Sequence, residues 1–170
     1  MRLESLLNRN KRTILEDWFH LLVETYPADS AQFLKREKDA FANPVGSSAR
    51  AGLEAVFDEL LGDMDSEALT DFLDPLIRIR AAQSFTPSRA TGFIFLLKKS
   101  IRKIISKDIS SLGLHDELHA FEMRIDELAL LGFDIYMECR EKIYQLKEKE
   151  VKNQALYAFS QEGLIGNRPG

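Results

Sequence analysis

An uninterrupted stretch from His115 to about Ala158 limits the fold more than any other feature of this sequence. It holds no proline and no cluster of turn residues, so it is typical of one continuous helix. About 44 residues at roughly 1.5 Å each span about 66 Å. A compact domain of this chain length is only about 40 Å across. The sequence therefore predicts a C-terminal helix that is longer than the domain to which it belongs.

Apolar positions in this stretch alternate steps of three and four residues, the spacing of a coiled-coil seam. The seam comprises Ile125, Leu128, Gly132, Ile135, Cys139, Lys142, Leu146, Lys149, Asn153 and Leu156. It turns polar after Leu146, so we expect the helix to lie in the core through Ile143 and residues 144–158 to form a projecting arm. The candidate partner-binding residues on this arm are Tyr144, Lys147, Val151 and Leu156. The glycine-containing and proline-containing segment 159–170 is expected to be a disordered tail.

Proline and glycine divide the first half of the chain into shorter helices. The first is predicted from Leu3 to Thr25 and the second ends at Asn43-Pro44, because a residue before proline is pushed away from helical angles. Ser47 or Ser48 is expected to cap the third, which Gly62 closes in a left-handed conformation. A fourth begins after Asp65 and is expected to restart or bend sharply at Pro75.

Ser84-Phe85-Thr86-Pro87 interrupts the helical pattern, and Thr86-Pro87 indicates a new helix start, with a hydroxyl cap followed by a preset φ angle. The helix that follows carries the longest apolar face before the C-terminal stretch. Arg80, Gln83, Thr86 and Pro87 are predicted to form a structural corner here. The Arg80 side chain is expected to tie the corner together through hydrogen bonds.

These signals together predict an all-α fold. We expect a single-domain helical bundle of about six or seven helices over residues 1–158, with a globin-like arrangement as one alternative. Alternating strand patterns and internal repeats are absent from the sequence.

Charge and cysteine content restrict the partners. Acidic residues number 27 against 23 basic ones, for a net charge of -4, which disfavours a nucleic-acid partner. The single cysteine, Cys139, falls on the apolar seam and is interpreted as structural, in keeping with a reducing, cytoplasmic location. We expect no export signal at the N-terminus, and no membrane span, since the sequence offers no stretch long and apolar enough.

Two Asp-x-x-His pairs could in principle bind a metal, namely Asp17 with His20 and Asp116 with His119, the latter near His115 and Glu122. Such pairs hold metals when they project into a bundle. At about 100° per residue, His20 and His119 lie well away from the apolar faces of their helices. They are therefore interpreted as surface histidines, with no metal site, and a metal-carboxylate enzyme is the least favoured function.

A pocket for haem or another flat ligand is an alternative. Its candidate residues are the aromatics Phe85, Phe93, Phe133 and Tyr136. Core packing explains such aromatics more simply, and no histidine lies on an inner face to act as an axial ligand. We therefore expect no cofactor and no catalytic residue.

A family resemblance rests on the run Ile77–Lys99, IRIRAAQSFTPSRATGFIFLLKK, with Phe41–Gly46 before it and Leu128–Leu146 after it. Over most of residues 10–155 the chain resembles the N-terminal domain of RsbRD-type RsbT co-antagonists. Members of that family are helical input modules placed before a STAS domain in stress-signalling scaffolds or before histidine kinase modules. The resemblance implies a non-catalytic regulatory or sensor domain of bacterial signalling, with the last helix passing a signal onward.

The chain ends about where an output domain begins in that family. We therefore expect a stand-alone regulatory domain that acts through protein–protein contact, either with a separate STAS or histidine kinase protein or as a homodimer. A small-molecule sensor is the competing expectation.

Overall fold

The computed structural model describes residues 2–166, with side chains through residue 163. These residues form seven α-helices, namely α1 (Leu3–Val23), α2 (Ala28–Arg36), α3 (Pro44–Leu61), α4 (Ser66–Ala82), α5 (Pro87–Thr91), α6 (Phe93–Leu112) and α7 (His115–Gly166). The described range has no strand. An all-α bundle of six or seven helices with a long C-terminal helix is thus confirmed, while the globin-like alternative stays a prediction.

The core forms where α4 and α6 pack against the first half of α7, with α1 on α6 and α3 on α4. Its largest fully buried apolar side chains include Trp18, Phe19, Phe57 and Phe93. The indole Nε1 of Trp18 donates a 2.8 Å hydrogen bond to the carbonyl oxygen of Phe93, which joins α1 to the start of α6. Burial of these large apolar surfaces is the main stabilising contribution.

Gly132 allows α7 to approach the other helices closely. A Cβ atom at this position would lie 2.6 Å from Cδ1 of Ile94 and 3.4 Å from Cδ1 of Ile77. The apolar seam predicted through Ile125, Leu128, Ile135 and Cys139 faces this interior and is buried. The seam spacing therefore identified the inward face of α7 correctly.

The connection between α2 and α3 differs from the prediction. α2 ends at Arg36, and Asn43 begins α3 as its N-cap, with Oδ1 accepting a 2.9 Å hydrogen bond from the Gly46 amide. Proline is favoured in the first helical turn, so Asn43-Pro44 starts a helix here and does not end one. Ser47 and Ser48 lie inside α3, and their predicted capping role is wrong.

The predicted restart of the helix at Pro75 and the predicted left-handed conformation of Gly62 are wrong. α4 runs without a break through Pro75, which lies with Asp71 on an exposed side of the helix, where water can satisfy the carbonyl group that loses its amide partner. Buried Leu73, Leu76 and Ile77 hold the helix to the core on both sides of the proline. Gly62 closes α3 with φ of −94°, and the left-handed residue of that turn is Met64.

The predicted helix start at Thr86-Pro87 is confirmed, but the helix is divided. α5 is one short turn and α6 begins after Gly92. The Thr86 hydroxyl makes no capping bond, and its Oγ1 lies 3.4 Å from Oγ of Ser88. α6 continues to Leu112, where Gly113 closes it in the left-handed conformation at φ 67°.

α7 extends beyond its predicted end. Residues 159–166 are helical, in contrast to the disordered tail predicted from residue 159, and residues 167–170 lie outside the described range. From Tyr144 through Gly163 every residue is exposed. None of the helices in the described part of the chain combines the length and apolarity needed to cross a lipid bilayer.

Candidate functional site

The outer face of α7 carries a row of exposed apolar residues at intervals of seven. We call this row the outer stripe; it consists of Met123, Leu130, Met137, Tyr144 and Val151, which are between 47% and 69% exposed. A seven-residue interval keeps these side chains on one side of a helix. Over 28 residues, at about 1.5 Å each, the stripe is roughly 42 Å long. It continues from the bundle onto the arm without interruption.

Opposite charges flank the outer stripe along the arm. At about 100° per residue, Arg140 and Lys147 lie on one side of the line through Tyr144 and Val151. Glu141 and Glu148 lie on the other side. The arm thus presents an apolar strip with a basic flank and an acidic flank.

The structure brings three of the four predicted partner-binding residues together. Tyr144 and Val151 belong to the outer stripe and Lys147 to its basic flank, but Leu156 lies about 140° around the helix from Val151. Sequence reasoning missed Met123, Leu130 and Met137, because it followed only the seam that faces the core. The exact repeat of seven in the printed sequence is the signal that identifies them.

The predicted corner around Arg80 is a buried cation in an aromatic setting. Arg80 has no exposed surface, and its Nε and Nη2 donate to the carbonyl oxygens of Ala90 (3.1 Å) and Arg89 (2.5 Å). Its Cζ atom lies 4.5 Å from the ring centroid of Phe85 and 5.0 Å from that of Tyr26. These two hydrogen bonds connect the end of α4 to α5, where Arg80 was predicted to hold the corner.

The positive charge of Arg80 is not neutralised within the described part of the chain. No carboxylate there forms an ion pair with it, and Nη1, like the buried hydroxyl of Tyr26, has no hydrogen-bond partner. Burial lowers the pKa of Arg80 from its usual value; the Tyr26 hydroxyl beside it acts in the opposite direction, and the positive charge of Arg89 again lowers the pKa. A guanidinium nevertheless stays protonated in proteins. The corner therefore keeps a buried, unpaired positive charge.

Two polar contacts connect the corner to α7. The Tyr136 hydroxyl donates a 2.7 Å hydrogen bond to the carbonyl oxygen of Phe85. Arg140 approaches the carbonyl oxygen of Ala81 through Nη1 (3.4 Å) and donates from Nη2 to the Tyr144 hydroxyl (3.0 Å). Gln83 closes α4, while Thr86 and Pro87 begin α5. The corner and the outer stripe are thus joined by a short chain of contacts.

The four residues proposed for a flat-ligand pocket are spread over different environments. Phe93 and Tyr136 are buried, Phe85 is half-buried and Phe133 is 44% exposed. Phe85 and Phe93 line two separate pockets, of about 330 and 240 Å³. These four residues therefore do not line one common cavity that could hold a ligand as large as haem.

Two of the acidic residues named for metal binding, Asp17 and Glu122, already bind other side chains. Asp17 accepts hydrogen bonds from Ser100 (2.8 Å) and Lys103, and buried Glu122 forms a two-point ion pair with Arg102 at 2.6 and 2.7 Å. His20 and His119 are exposed, as their helical angles predicted. Within residues 2–166 no three His, Cys, Asp or Glu side chains are grouped to hold a metal ion.

Cys139 lies on the inward face of α7 and is buried. Burial raises the pKa of its thiol above the usual value, so little of the reactive thiolate forms near neutral pH. The interpretation of Cys139 as a packing residue agrees with this environment.

Comparison with known proteins places the chain in a family. Residues 12–151 match the family described as the RsbT co-antagonist protein rsbRD N-terminal domain. An uncharacterized protein from Archaeoglobus fulgidus is 27% identical over 144 residues, which cover 83% of this chain and 84% of the relative. No solved structure matches. The chain belongs to the RsbT co-antagonist rsbRD N-terminal domain family, a family of signalling sensor-type domains.

Proposed function

We propose that this chain is a non-catalytic regulatory input domain that acts through protein–protein contact, and that two copies pair through the outer stripes of their α7 helices. The single observation that carries the proposal is the exposed apolar row at intervals of seven, which continues from the bundle onto the arm. Such a row on a solvated helix is typical of a surface that packs against another helix.

The charged flanks favour a second copy aligned in parallel. In a parallel pair of helices, opposite flanks of the two stripes meet, whereas in an antiparallel pair like flanks meet. Arg140 and Lys147 of one copy would therefore face the Glu141 and Glu148 flank of the other copy only in the parallel arrangement. In the antiparallel arrangement, the two acidic flanks would face each other, and so would the two basic flanks.

Family membership supports the regulatory part of the proposal, since the family is one of signalling domains. We retain a STAS or histidine kinase protein as the predicted output partner. A parallel pair would carry both arms away from the bundles in the same direction, toward one end where such a partner can bind both. Copurification of either protein class with the wild-type chain, and its loss with a stripe variant, would support this assignment.

Sedimentation equilibrium tests the pairing. The wild-type chain is expected to be a dimer, and Val151→Glu should weaken dimerisation at least about tenfold, because it places a charge in the apolar row. Leu146→Glu is a matched control: Leu146 is 67% exposed against 63% for Val151 but lies about 140° around the helix. It should leave dimerisation unchanged. A monomeric wild-type chain, or equal effects of both variants, would contradict the proposal.

A charge exchange tests the parallel alignment. Lys147→Glu should weaken the dimer, because the altered flank then meets an acidic flank. Adding Glu148→Lys exchanges the charges at positions 147 and 148, so opposite charges face each other again at this turn and the dimer should recover. Failure of the second substitution to restore dimerisation would contradict the parallel arrangement.

A further inference from the structure

A small pocket lies between the end of α1 and the corner that joins α4 to α5. Its volume is about 330 Å³, near the lower end of the range for small-molecule sites. Tyr26 and Phe85 contribute apolar walls, while Gln83, Ser84 and Arg89 contribute polar groups. The two rings meet edge to face, with centroids 5.5 Å apart.

Two guanidinium groups lie against the Phe85 ring of this pocket. Cζ of Arg80 is 4.5 Å and Cζ of Arg89 is 5.2 Å from the ring centroid. Within the described chain, neither side chain forms an ion pair with a carboxylate. Two neighbouring cations, one of them fully buried, repel each other in a poorly screened environment. An anion beside them would offset that repulsion.

Arg89 is well placed to meet such an anion. It lines the pocket, is exposed, and uses one N–H in a 3.1 Å hydrogen bond from Nη2 to the carbonyl oxygen of Thr25. A guanidinium has five N–H donors, so four remain. Their planar arrangement matches the two oxygens of a carboxylate. Arg80 lies behind the Tyr26 and Phe85 walls, with Nη1 unpartnered and no exposed surface.

A larger pocket between α1 and α3 has a different electrostatic character. It has a volume of about 520 Å³ and contains several basic residues of α1 together with Arg50 of α3. Its Lys11 already pairs with Asp58 (2.7 Å) and Glu54 (3.2 Å), and Arg12 pairs with Glu16 (3.4 Å). Most of its positive charge is therefore balanced, which favours the smaller pocket as the anion site.

We propose that the pocket at Arg89 binds a small organic carboxylate, whose carboxylate group pairs with Arg89 and whose flat apolar body packs against Phe85 and Tyr26. The proposal goes beyond pairing through α7 and does not rest on it, because every lining residue belongs to one copy. The Phe85 carbonyl oxygen accepts the hydrogen bond from Tyr136, so an occupant of this pocket contacts a residue bonded directly to α7.

Isothermal titration calorimetry with sodium benzoate at constant ionic strength tests the proposal, with neutral benzamide as the uncharged analogue. We expect saturable benzoate binding and none by benzamide. Arg89→Gln should weaken benzoate binding at least about tenfold, the effect of losing a charge-assisted pair. Arg50→Gln, which removes a cation from the other pocket, should leave it unchanged. Val151→Glu should also bind benzoate normally, which separates this proposal from the pairing of α7.

Four results would overturn the proposal. Absence of saturable benzoate binding would remove the site, as would equal binding of benzamide. A larger effect of Arg50→Gln than of Arg89→Gln would place the anion in the other pocket. Inorganic phosphate bound as tightly as benzoate would overturn the assignment of an organic carboxylate. Thermal unfolding of each variant without ligand confirms that the comparison is made on folded protein.

Discussion

The hydroxyl group of Tyr136 donates a 2.7 Å hydrogen bond to the carbonyl oxygen of Phe85 and so joins α7 to the corner between α4 and α5. Tyr136→Phe removes this bond and leaves the carbonyl without its partner. We expect the free energy of unfolding to fall by about 1 kcal/mol, measured by urea denaturation. Tyr144→Phe removes an exposed hydroxyl that accepts from Arg140, and its effect should stay within about 0.5 kcal/mol. Equal losses in the two variants would contradict a structural role for the Phe85 contact.

Arg80 stabilises the corner although its charge is unpaired. Arg80→Met keeps much of the side-chain volume but removes the hydrogen bonds to the carbonyl oxygens of Ala90 and Arg89. Because one buried and one part-buried acceptor lose charged donors, we expect a loss of about 2–4 kcal/mol in urea denaturation. The control is Arg78→Met: Arg78 is exposed and pairs with Asp74 one helical turn away, so its removal should cost about 0.3–0.5 kcal/mol. An Arg80→Met protein as stable as wild type would show that desolvation of the cation outweighs its hydrogen bonds.

The Asn43 side chain both accepts and donates hydrogen bonds. Its Oδ1 caps α3 at the Gly46 amide, while Nδ2 donates to the carbonyl oxygens of Glu37 (2.9 Å) and Leu34 (3.2 Å). Asn43→Ala loses all three bonds, and we expect a cost of about 2–4 kcal/mol. Asn43→Ser keeps a capping oxygen and loses the amide donors without adding a charge, so it should be intermediate. Equal stability of the two variants, measured by chemical denaturation, would show that the cap contributes nothing.

The ion pair between Asp17 and Lys103 predicts that the stability of the fold depends on pH. Burial alone would raise the pKa of Asp17, but the hydrogen bonds from Lys103 and Ser100 lower it overall. A carboxyl whose pKa is lower in the folded state contributes stability above its unfolded pKa, about 3.9. That contribution is lost as the pH falls through the lower, folded pKa. Asp17→Asn should therefore be less stable than wild type near neutral pH, by about 1 kcal/mol.

The difference between Asp17→Asn and wild type should shrink steadily below about pH 4. Urea denaturation at several pH values measures it. Lys107→Gln, an exposed charge change on the same helix as Lys103, serves as the control and should show no comparable trend. A difference that stays constant between about pH 7 and pH 3 would contradict the assignment to Asp17.

Local signals predicted those parts of the fold that depend on backbone chemistry alone. Pro87 begins a helix as expected, because its fixed φ angle and missing N–H suit the first turn. Pro75 behaves differently because the flanking apolar residues are held by the core, and packing outweighs the local preference for a break. Asn43-Pro44 was assigned to the end of one helix because the donors and acceptors of Asn43 become apparent only when α2 and α3 are folded together.

The candidate sites were predictable to different extents. The hydrogen-bonding role of Arg80 followed from its place beside a turn. Its lack of a counter-ion depends on which side chains gather around it, and residue spacing does not report that. The outer stripe was present in the sequence as a strict interval of seven. Apolar residues are common on protein surfaces, so this spacing becomes informative only when the structure shows that all five residues are exposed.

One continuous helix, 52 residues and roughly 78 Å long, carries both the buried seam beside Gly132 and the outer stripe on its opposite side. The angle between these two faces is fixed by helix geometry. If repacking near Ile94 and Ile77 turned α7 about its axis, the arm would turn by the same angle, and the distant stripe would point in a different direction.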